Sequence, residues 1–524
     1  MKSNDRRVFL AVCVLGFFTF TAGADSVPSP LDPANQLIKQ GEDLGLQHKV
    51  DDAIKAFEDG INLLQKFTDQ NPSNVEYRLN LATGYEKFGD MLVGNNRLDR
   101  GFTVYQKSLE LRQTMFAGDP ENADRVHDLA KSLARMGRVS ILQHQLATSL
   151  QFYRQACSTG SRLVKISPQN YAWISELAIN QDWVGEVLLL LNKYDEATEA
   201  FAAIVDTVKT LPPATKPDLS WLVQLGVNLE DAGSLIATKG KREHALRILE
   251  VVRDVRQQLV ERDDSNPDLK RDLAISLGSI ATILIGHRDS LEALNVSQQG
   301  IDLLTAIDAA SNDGSKAQLA LGQMLEHYGA AAEQLHRDDD ALSHFEQSAE
   351  ILEKASAKSP ADPGLKQDIC RVLARFGSLL VEKRRYPEAL DAYQRARNIL
   401  TVAYQENPND LAWGVELSVD LESIGYVFSA QQMPNDALNA YREARGILDK
   451  LRQAHPDDHE FDETFAGTEL ALGKLFREQG ESKDARIAFE QCSQILYHLR
   501  ETGHLDDQGA SWLDEADMQL RQPF

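Results

Sequence analysis

Apolar and polar positions along this chain repeat with a period of 48 residues. Within each period, two successive stretches carry apolar residues at the three- and four-residue spacing that lines one face of an α-helix. In the eighth period these stretches cover about residues 362–383 and 386–405, and Asn407-Pro408 ends the second one, because proline lacks the backbone donor that a helix needs. The pattern therefore predicts an all-α chain of helix pairs, named helix A and helix B in each period. One apolar position of helix A is filled in successive periods by Leu81, Leu129, Leu177, Leu225, Leu273, Leu321, Ile369, Leu417 and Phe465.

Small residues recur in the same register and predict where the helices of a pair approach each other. A fixed position of helix A is glycine in nine of ten periods, and twelve residues later comes a mostly small residue of helix B. Four residues further on, the position is usually aromatic. Glycine and alanine let two helices pack closely, and the aromatic ring fills the space beside them. The register positions of helix A are Gly41, Gly89, Gly137, Gly185, Gly233, Ala281, Gly329, Gly377, Gly425 and Gly473.

This order of residues resembles the tetratricopeptide repeat (TPR). In the eighth period it consists of Phe376, Gly377, eleven residues, Ala389, three residues and Tyr393. The family's repeat is about 34 residues long, so both helices are extended here, as in long-repeat arrays of many bacterial proteins. The resemblance implies an α-solenoid, a right-handed superhelix of about ten helix-turn-helix repeats over residues 34–505. It also implies that the inner surface of the A helices binds a protein or peptide partner.

The two ends of the chain fall outside this regular register. Basic residues, an apolar run and small residues in succession predict a secretory signal peptide over residues 1–24. Residues 25–33 are predicted to be an extended lead-in, and residues 506–524 a capping helix with the polar outer face that a solenoid end requires. We therefore expect a periplasmic or extracellular protein, with an uncleaved N-terminal membrane anchor as the alternative.

The charge of the chain narrows the class of partner. The 524 residues carry a formal net charge of −24 at pH 7. Nucleic-acid binding needs a basic footprint to neutralise phosphates, so this class of partner is not expected. An acidic surface favours a basic protein or peptide.

Candidate binding residues follow from the resemblance. In TPR arrays the inner face of helix A corresponds to the positions three before, one after and four after the register glycine. Acidic residues are frequent at these positions here, and Trp183 stands where most periods have a polar residue. The alternative to an acidic binding groove is a merely solvated acidic face. The candidate partner-binding residues are Glu86, Asp90, Asp182, Trp183, Glu186, Glu230, Glu326, Glu422 and Tyr426.

No motif in the sequence indicates catalysis. His287-Arg288-Asp289 resembles part of a kinase catalytic loop, but Asn295 is one residue too far and a glycine-rich phosphate loop is missing. The histidines and cysteines lack zinc-site spacing. We therefore expect a non-enzymatic scaffold without metal or small-molecule cofactor. Two alternatives stay open: a structural, self-assembling envelope component, and an enzyme that uses carboxylates such as Asp182 and Glu186.

Overall fold

The computed structural model consists of paired α-helices. It describes residues 29–212, 219–307, 314–408, 410–455 and 461–523, and within these ranges it has 21 helices and no strand. The predicted signal peptide and residues 25–28 of the predicted lead-in lie outside the described residues. The helices are α1 Asp32–Leu46, α2 Val50–Gln70, α3 Val75–Gly94, α4 Leu98–Gly118, α5 Ala123–Leu142, α6 Leu146–Ile166, α7 Tyr171–Leu190, α8 Tyr194–Lys209, α9 Ser220–Thr238, α10 Arg242–Arg262, α11 Pro267–His287, α12 Ser290–Thr305, α13 Gly314–Gln334, α14 Asp338–Ser356, α15 Pro363–Glu382, α16 Tyr386–Glu406, α17 Leu411–Ala430, α18 Pro434–Ala454, α19 Asp462–Glu478, α20 Ser482–Thr502 and α21 Asp507–Arg521.

Each odd-numbered helix up to α19 is a helix A that packs against the helix B that follows it, which gives ten repeats. Repeats 1–5 form one compact unit, residues 29–265, and repeats 6–10 with α21 form another, residues 266–523. Within each unit, helix B also packs against the helix A of the next repeat, except in repeat 4, where α8 packs against α10, the helix B of repeat 5. At the end of the second unit, α21 packs on α19 and α20. The all-α, TPR-like architecture predicted from the 48-residue register is confirmed.

Side chains before the A helices fix where these helices begin. The Asn74 side chain accepts a hydrogen bond from the backbone N–H of Tyr77, and Asp362 accepts from Gly364 and Leu365. Such a cap satisfies backbone donors that have no partner inside the helix. Side-chain caps of this kind precede six A helices at Asn74, Asn122, Asn170, Asn266, Asp362 and Asp410.

The turn from helix A to helix B uses one residue in the left-handed conformation. In repeat 8, Arg384 has φ +56°, its N–H bonds the Val381 carbonyl at 2.9 Å, and the Arg385 N–H bonds the Leu380 carbonyl at 2.8 Å. This pair of bonds is the Schellman motif, which is usually completed by glycine. Sequence analysis did not identify the position because most repeats place a larger residue there. The left-handed residues at this position are His48, Asn96, His144, Asn192, Gly240, Arg288, His336, Arg384, Gln432 and Gly480.

The register glycine is required by the ring that packs on it. A Cβ atom on Gly137 would lie 2.7 Å from Cδ2 of Tyr153, and one on Gly377 would lie 2.7 Å from Cζ of Tyr393. Repeat 5 has Leu249 in place of the ring, and repeat 6 has Ala281 in place of the glycine with the fully buried Ser297 in place of the ring. In repeat 6, therefore, a larger residue at the glycine position is matched by a smaller residue at the ring position.

Candidate partner-binding surface

The predicted acidic row of helix A is largely buried between neighbouring helices. Glu86 is 8% exposed, Asp182 is 5% exposed and Glu326 is 3% exposed. Glu186, Glu230 and Glu422 are half-buried. A buried carboxylate needs cations or hydrogen-bond donors around it, and for Glu86, Glu230 and Glu326 the same chain supplies them.

Glu86 and its neighbour Asp90 belong to one charged network across repeats 2 and 3. Glu86 accepts hydrogen bonds from Arg112 Nε at 3.2 Å and Ser132 Oγ at 2.7 Å. Asp90 accepts from Arg135 Nε at 3.2 Å and from the Tyr105 hydroxyl. Burial alone would raise the pKa of Glu86, but Arg135 and Arg112 outweigh it and hold that pKa below its ordinary value. Glu86 is therefore an ionised, internally neutralised group.

Glu326 and Glu230 are paired in the same way. Arg371 binds Glu326 through two hydrogen bonds, Nε to Oε1 and Nη2 to Oε2, both 2.8 Å. Arg256 donates to Glu230 at 2.6 Å. For Glu326, the upward effect of burial on the pKa is outweighed by the hydrogen bonds and charge of Arg371, so the pKa lies below its ordinary value. Bidentate arginine pairs of this kind fix geometry as well as charge.

Several of these pairs join residues 45 positions apart. Because the repeat is 48 residues long, such a pair links one A helix to the next A helix. The residue of the second helix lies three register positions before that of the first. The predicted acidic row thus serves in good part as a ladder that holds consecutive repeats together. The pairs are Lys87–Glu42, Arg135–Asp90 and Arg371–Glu326.

The remaining predicted residues lie nearer the surface. Trp183 is half-buried, and its ring stacks on that of Tyr153 with centroids 5.9 Å apart and planes 10° apart. Tyr426 is 56% exposed. These residues belong to two units and form no single site. Partner binding by the nine residues stays a prediction.

Apolar side chains border the acidic row on a surface that sequence analysis did not identify. It is formed by the helix A positions six before, two before and one after the register glycine, and is called the A-helix surface below. In repeats 4 and 5, whose A helices contact each other, Ile179 is 38% exposed and Val227 is 41% exposed, on the same surface as Trp183. In repeat 6, Ile275 is 40% exposed at the equivalent position. The signal was present as a β-branched residue at one register position in three successive repeats.

A cavity of about 210 Å³ opens on the A-helix surface of the second unit. It lies between α11 and α13, with Gly278, Thr282 and His327 among its lining residues and Arg371 of α15 at its edge. Gly278 occupies the register position that is acidic in five other repeats, so the missing side chain leaves space. The absence of a side chain at that position was the sequence signal for the cavity.

Two buried carboxyls of the second unit have no arginine clamp like that of Glu326. Asp420 is 6% exposed, and burial raises its pKa to about 8. Glu469 is fully buried, Arg445 Nη1 lies 3.6 Å from its Oε1, and burial raises its pKa to about 7. Burial likewise raises the pKa of Glu422, which accepts a hydrogen bond from Thr468, to about 7.

Within the described ranges, no cluster of three or more His, Cys, Asp or Glu side chains could hold a metal ion. Among the same residues, no helix has the length and apolar character needed to cross a membrane. The kinase-like sequence His287-Arg288-Asp289 is an ordinary turn between α11 and α12, with Arg288 as its left-handed residue.

No protein-family model matches the chain, and no curated protein does. Among solved structures, RapI in its apo form matches 75% of this chain and 98% of its own at 15% identity, with a TM-score of 0.40. BtubC from P. vanneervenii matches 49% of this chain and 92% of its own at 14% identity, with a TM-score of 0.38. A candidate kinesin light chain from Podosopora anserina, with nearly identical TPR-like repeats, matches 42% of this chain and 93% of its own at 13% identity, with a TM-score of 0.31.

Proposed function

We propose that these TPR-like repeats form an exported, non-catalytic scaffold that binds a protein or peptide segment along the A-helix surface. The observation that carries the proposal is the row of partly exposed apolar side chains, Ile179 and Val227, beside the half-buried ring of Trp183. Apolar groups on a surface that are held by a rigid frame offer contact area at little cost in conformational entropy. An aromatic ring among them is the type of residue that contributes strongly to binding.

A basic segment is the proposed partner. Glu186 is half-buried at the edge of the apolar row and Asp231 is exposed two positions before the register glycine of repeat 5. These carboxylates, together with the overall charge of −24, would attract a cationic ligand. The ladder carboxylates Glu86 and Glu326 contribute little to this attraction, because cations of the same chain already neutralise them.

Export is proposed from residues 1–24 alone. Expression of the full chain, followed by fractionation and sequencing of its N-terminus, tests this part directly. A mature chain beginning near Asp25 in the exported fraction is expected. A chain that keeps Met1 and stays with the cytoplasm would contradict it.

Affinity capture tests the binding part. The chain from Asp25 is immobilised in an extract of its own compartment and washed at low and at high salt. We expect one protein to be retained at low salt and to be lost in part at high salt, because surface charge attraction is screened. Ile179→Ser/Val227→Ser should lose the protein, whereas Leu291→Ser, at a 64% exposed position of helix B, should retain it.

Retention of the bait alone would instead support the structural role. Sedimentation at several concentrations distinguishes the two outcomes. Self-association that grows with concentration supports assembly, and a constant monomeric mass with no captured protein contradicts both roles.

A further inference from the structure

The cavity between α11 and α13 contains a hydrogen-bond acceptor with no donor. The Thr282 hydroxyl donates its proton to the Gly278 carbonyl, 3.0 Å away. The same hydroxyl oxygen lies 3.2 Å from His327 Nε2 and, having spent its only proton, it must accept there. Nε2 of His327 therefore carries the hydrogen, and Nδ1 is a bare lone pair. Burial lowers the pKa of His327, so the imidazole is neutral at pH 7.

This lone pair is buried beside the empty space. Among the described residues no donor lies within hydrogen-bond distance of His327 Nδ1, and the atom is shielded from solvent. A Cβ atom placed on Gly278 would lie 3.5 Å from Nδ1, so the atom borders the space that glycine leaves open. An unsatisfied buried acceptor destabilises the folded chain, and a ligand that donates to it would recover that loss.

The walls of the cavity restrict the ligand further. Ile275, Met324 and small residues of both helices provide apolar surface. The guanidinium of Arg371 at the edge is occupied by Glu326 and by Asp368, the latter at 2.8 Å, so an anion finds no uncommitted cation there. A cation would need a carboxylate, and Glu326 is committed to Arg371. At about 210 Å³ the cavity is smaller than the roughly 300–1,000 Å³ of most cofactor sites, which suits one side chain.

We propose that this cavity binds an uncharged aromatic hydrogen-bond donor, a phenol or an indole, with its O–H or N–H bonded to His327 Nδ1. The donor is supplied by a Tyr or Trp side chain of the partner segment, and in this respect the inference rests on the proposed function. The same chemistry in a free small molecule would occupy the cavity in the same way, and the experiment separates the two sources.

The test uses p-cresol and 3-methylindole as probes, with toluene as the matched compound that lacks a donor. Binding to the chain from Asp25 is followed by the ¹⁵N shift of His327 Nδ1. We expect both donors to move that resonance in the hydrogen-bonded direction and toluene to leave it unmoved. An unmoved Nδ1 resonance at saturating p-cresol would overturn the proposal.

Two variants make the test specific. His327→Phe keeps the ring and removes the acceptor, so the preference for p-cresol over toluene should fall by roughly five- to tenfold, the usual effect of one hydrogen bond. Gly278→Leu fills the cavity and should abolish binding of all three probes. Gly286→Ala, on the same helix where an added Cβ meets nothing within 4 Å, is the control and should bind like the unaltered chain. An unchanged p-cresol preference in His327→Phe would contradict the assigned geometry.

Peptides identify the source of the ligand. Basic peptides of one sequence with Tyr, Trp or Phe at the central position are compared for displacement of p-cresol. Displacement by the Tyr or Trp peptide but not by the Phe peptide supports a partner side chain. Binding of the free probes without displacement by any peptide retains the cavity chemistry and removes only its link to the partner. Loss of captured protein in Ile179→Ser/Val227→Ser is independent of both results.

Discussion

Gly377 and Tyr393 are in contact to an extent that leaves no room for a methyl group: a Cβ atom on the glycine would lie 2.7 Å from Cζ of the tyrosine ring. The same relationship recurs between Gly137 and Tyr153. Close approach at this point holds helix A against helix B in each repeat. It explains why the register position tolerates alanine only in repeat 6, where Ser297 replaces the ring.

Gly377→Ala should therefore destabilise the chain. Alanine has the better helix propensity by about 1 kcal/mol, but overpacking against Tyr393 costs about 1–3 kcal/mol and should prevail. Urea unfolding followed by circular dichroism measures the change. Gly446→Ala, where nothing lies within 4 Å, should raise the midpoint, and Gly377→Ala/Tyr393→Ser should lose less than the sum of its single changes. A raised midpoint in Gly377→Ala would refute the contact.

At the left-handed turn positions, substitution by glycine should stabilise the folded chain. Arg384 and Gln432 hold φ values of +56° and +59°, which a side chain disfavours by roughly 1–2 kcal/mol. Arg384→Gly and Gln432→Gly should each stabilise the folded chain by about 0.5–1 kcal/mol, less than the full strain because glycine gains freedom when unfolded. Gly480→Ala, with φ +77°, should destabilise it. Unfolding midpoints that move the other way would contradict the turn geometry.

Removal of Arg371 should be costly because it leaves Glu326 buried without its clamp. Loss of one partner from a buried pair costs about 3–5 kcal/mol, and we expect about 2 kcal/mol for Arg371→Ala because its side chain is 48% exposed. Glu326→Ala/Arg371→Ala should recover part of the loss, since repeat 8 has Ala374 at the position of Glu326. A double variant as unstable as the sum of its single changes would exclude coupling between the two residues.

The buried carboxyls predict that the second unit loses stability at alkaline pH. The folded pKa of Asp420 is about 8 and that of Glu469 about 7, whereas unfolded carboxyls titrate near pH 4. Their contribution is thus intact below about pH 4 and is lost as the pH rises through about 7 and then 8. The pKa of Glu326 is lowered in the folded chain, so Glu326 acts in the opposite direction. It stabilises the fold at pH values above the pKa of the unfolded carboxyl.

Thermal unfolding at a series of pH values checks this prediction. Asp420→Asn and Glu469→Gln should each raise the melting temperature at pH 8.5 and have little effect near pH 4, because only the ionised form carries the cost. Asp391→Asn, at an exposed position of α16, is the control and should leave the pH profile unchanged. Melting temperatures for Asp420→Asn that do not depend on pH differently from those of the unaltered chain would contradict the burial of an ionisable group.

The periodic features of the fold could be predicted from sequence, and the particular ones could not. Gly377, Ala389 and Tyr393 recur in register, so the helix pairs and their packing followed from the pattern. The pairing of Arg371 with Glu326 depends on which side chains of adjacent A helices face each other, and the acidic residue alone resembled an open binding group. Some carboxylates that the sequence analysis assigned to partner binding instead form ion pairs with an arginine 45 residues further along the chain.

Gly278 marked the position of the cavity in the sequence, but the hydrogen-bond acceptor inside it could not be predicted. The cavity arises where Gly278 breaks the acidic row and His327 of the next repeat turns its Nδ1 toward the gap, and neither residue is unusual by itself. The left-handed turns were hidden similarly, because Arg384 and Gln432 are not residues that mark such a conformation. Both features lie at positions whose residues vary from repeat to repeat, so the common pattern does not predict them.

The central claim is that the A-helix surface binds the partner. It is tested most directly by measuring how tightly the captured protein binds to a variant of that surface and to a variant of the B helices. Calorimetric titration would compare Ile179→Ser/Val227→Ser with Leu291→Ser/Val402→Ser, which changes exposed apolar residues of B helices instead. We expect the first variant to bind at least about tenfold more weakly, since truncating two residues at the centre of an interface costs about 1 kcal/mol each, and the second to bind normally. Equal affinities of the two variants, or weaker binding by the second one alone, would contradict the proposal.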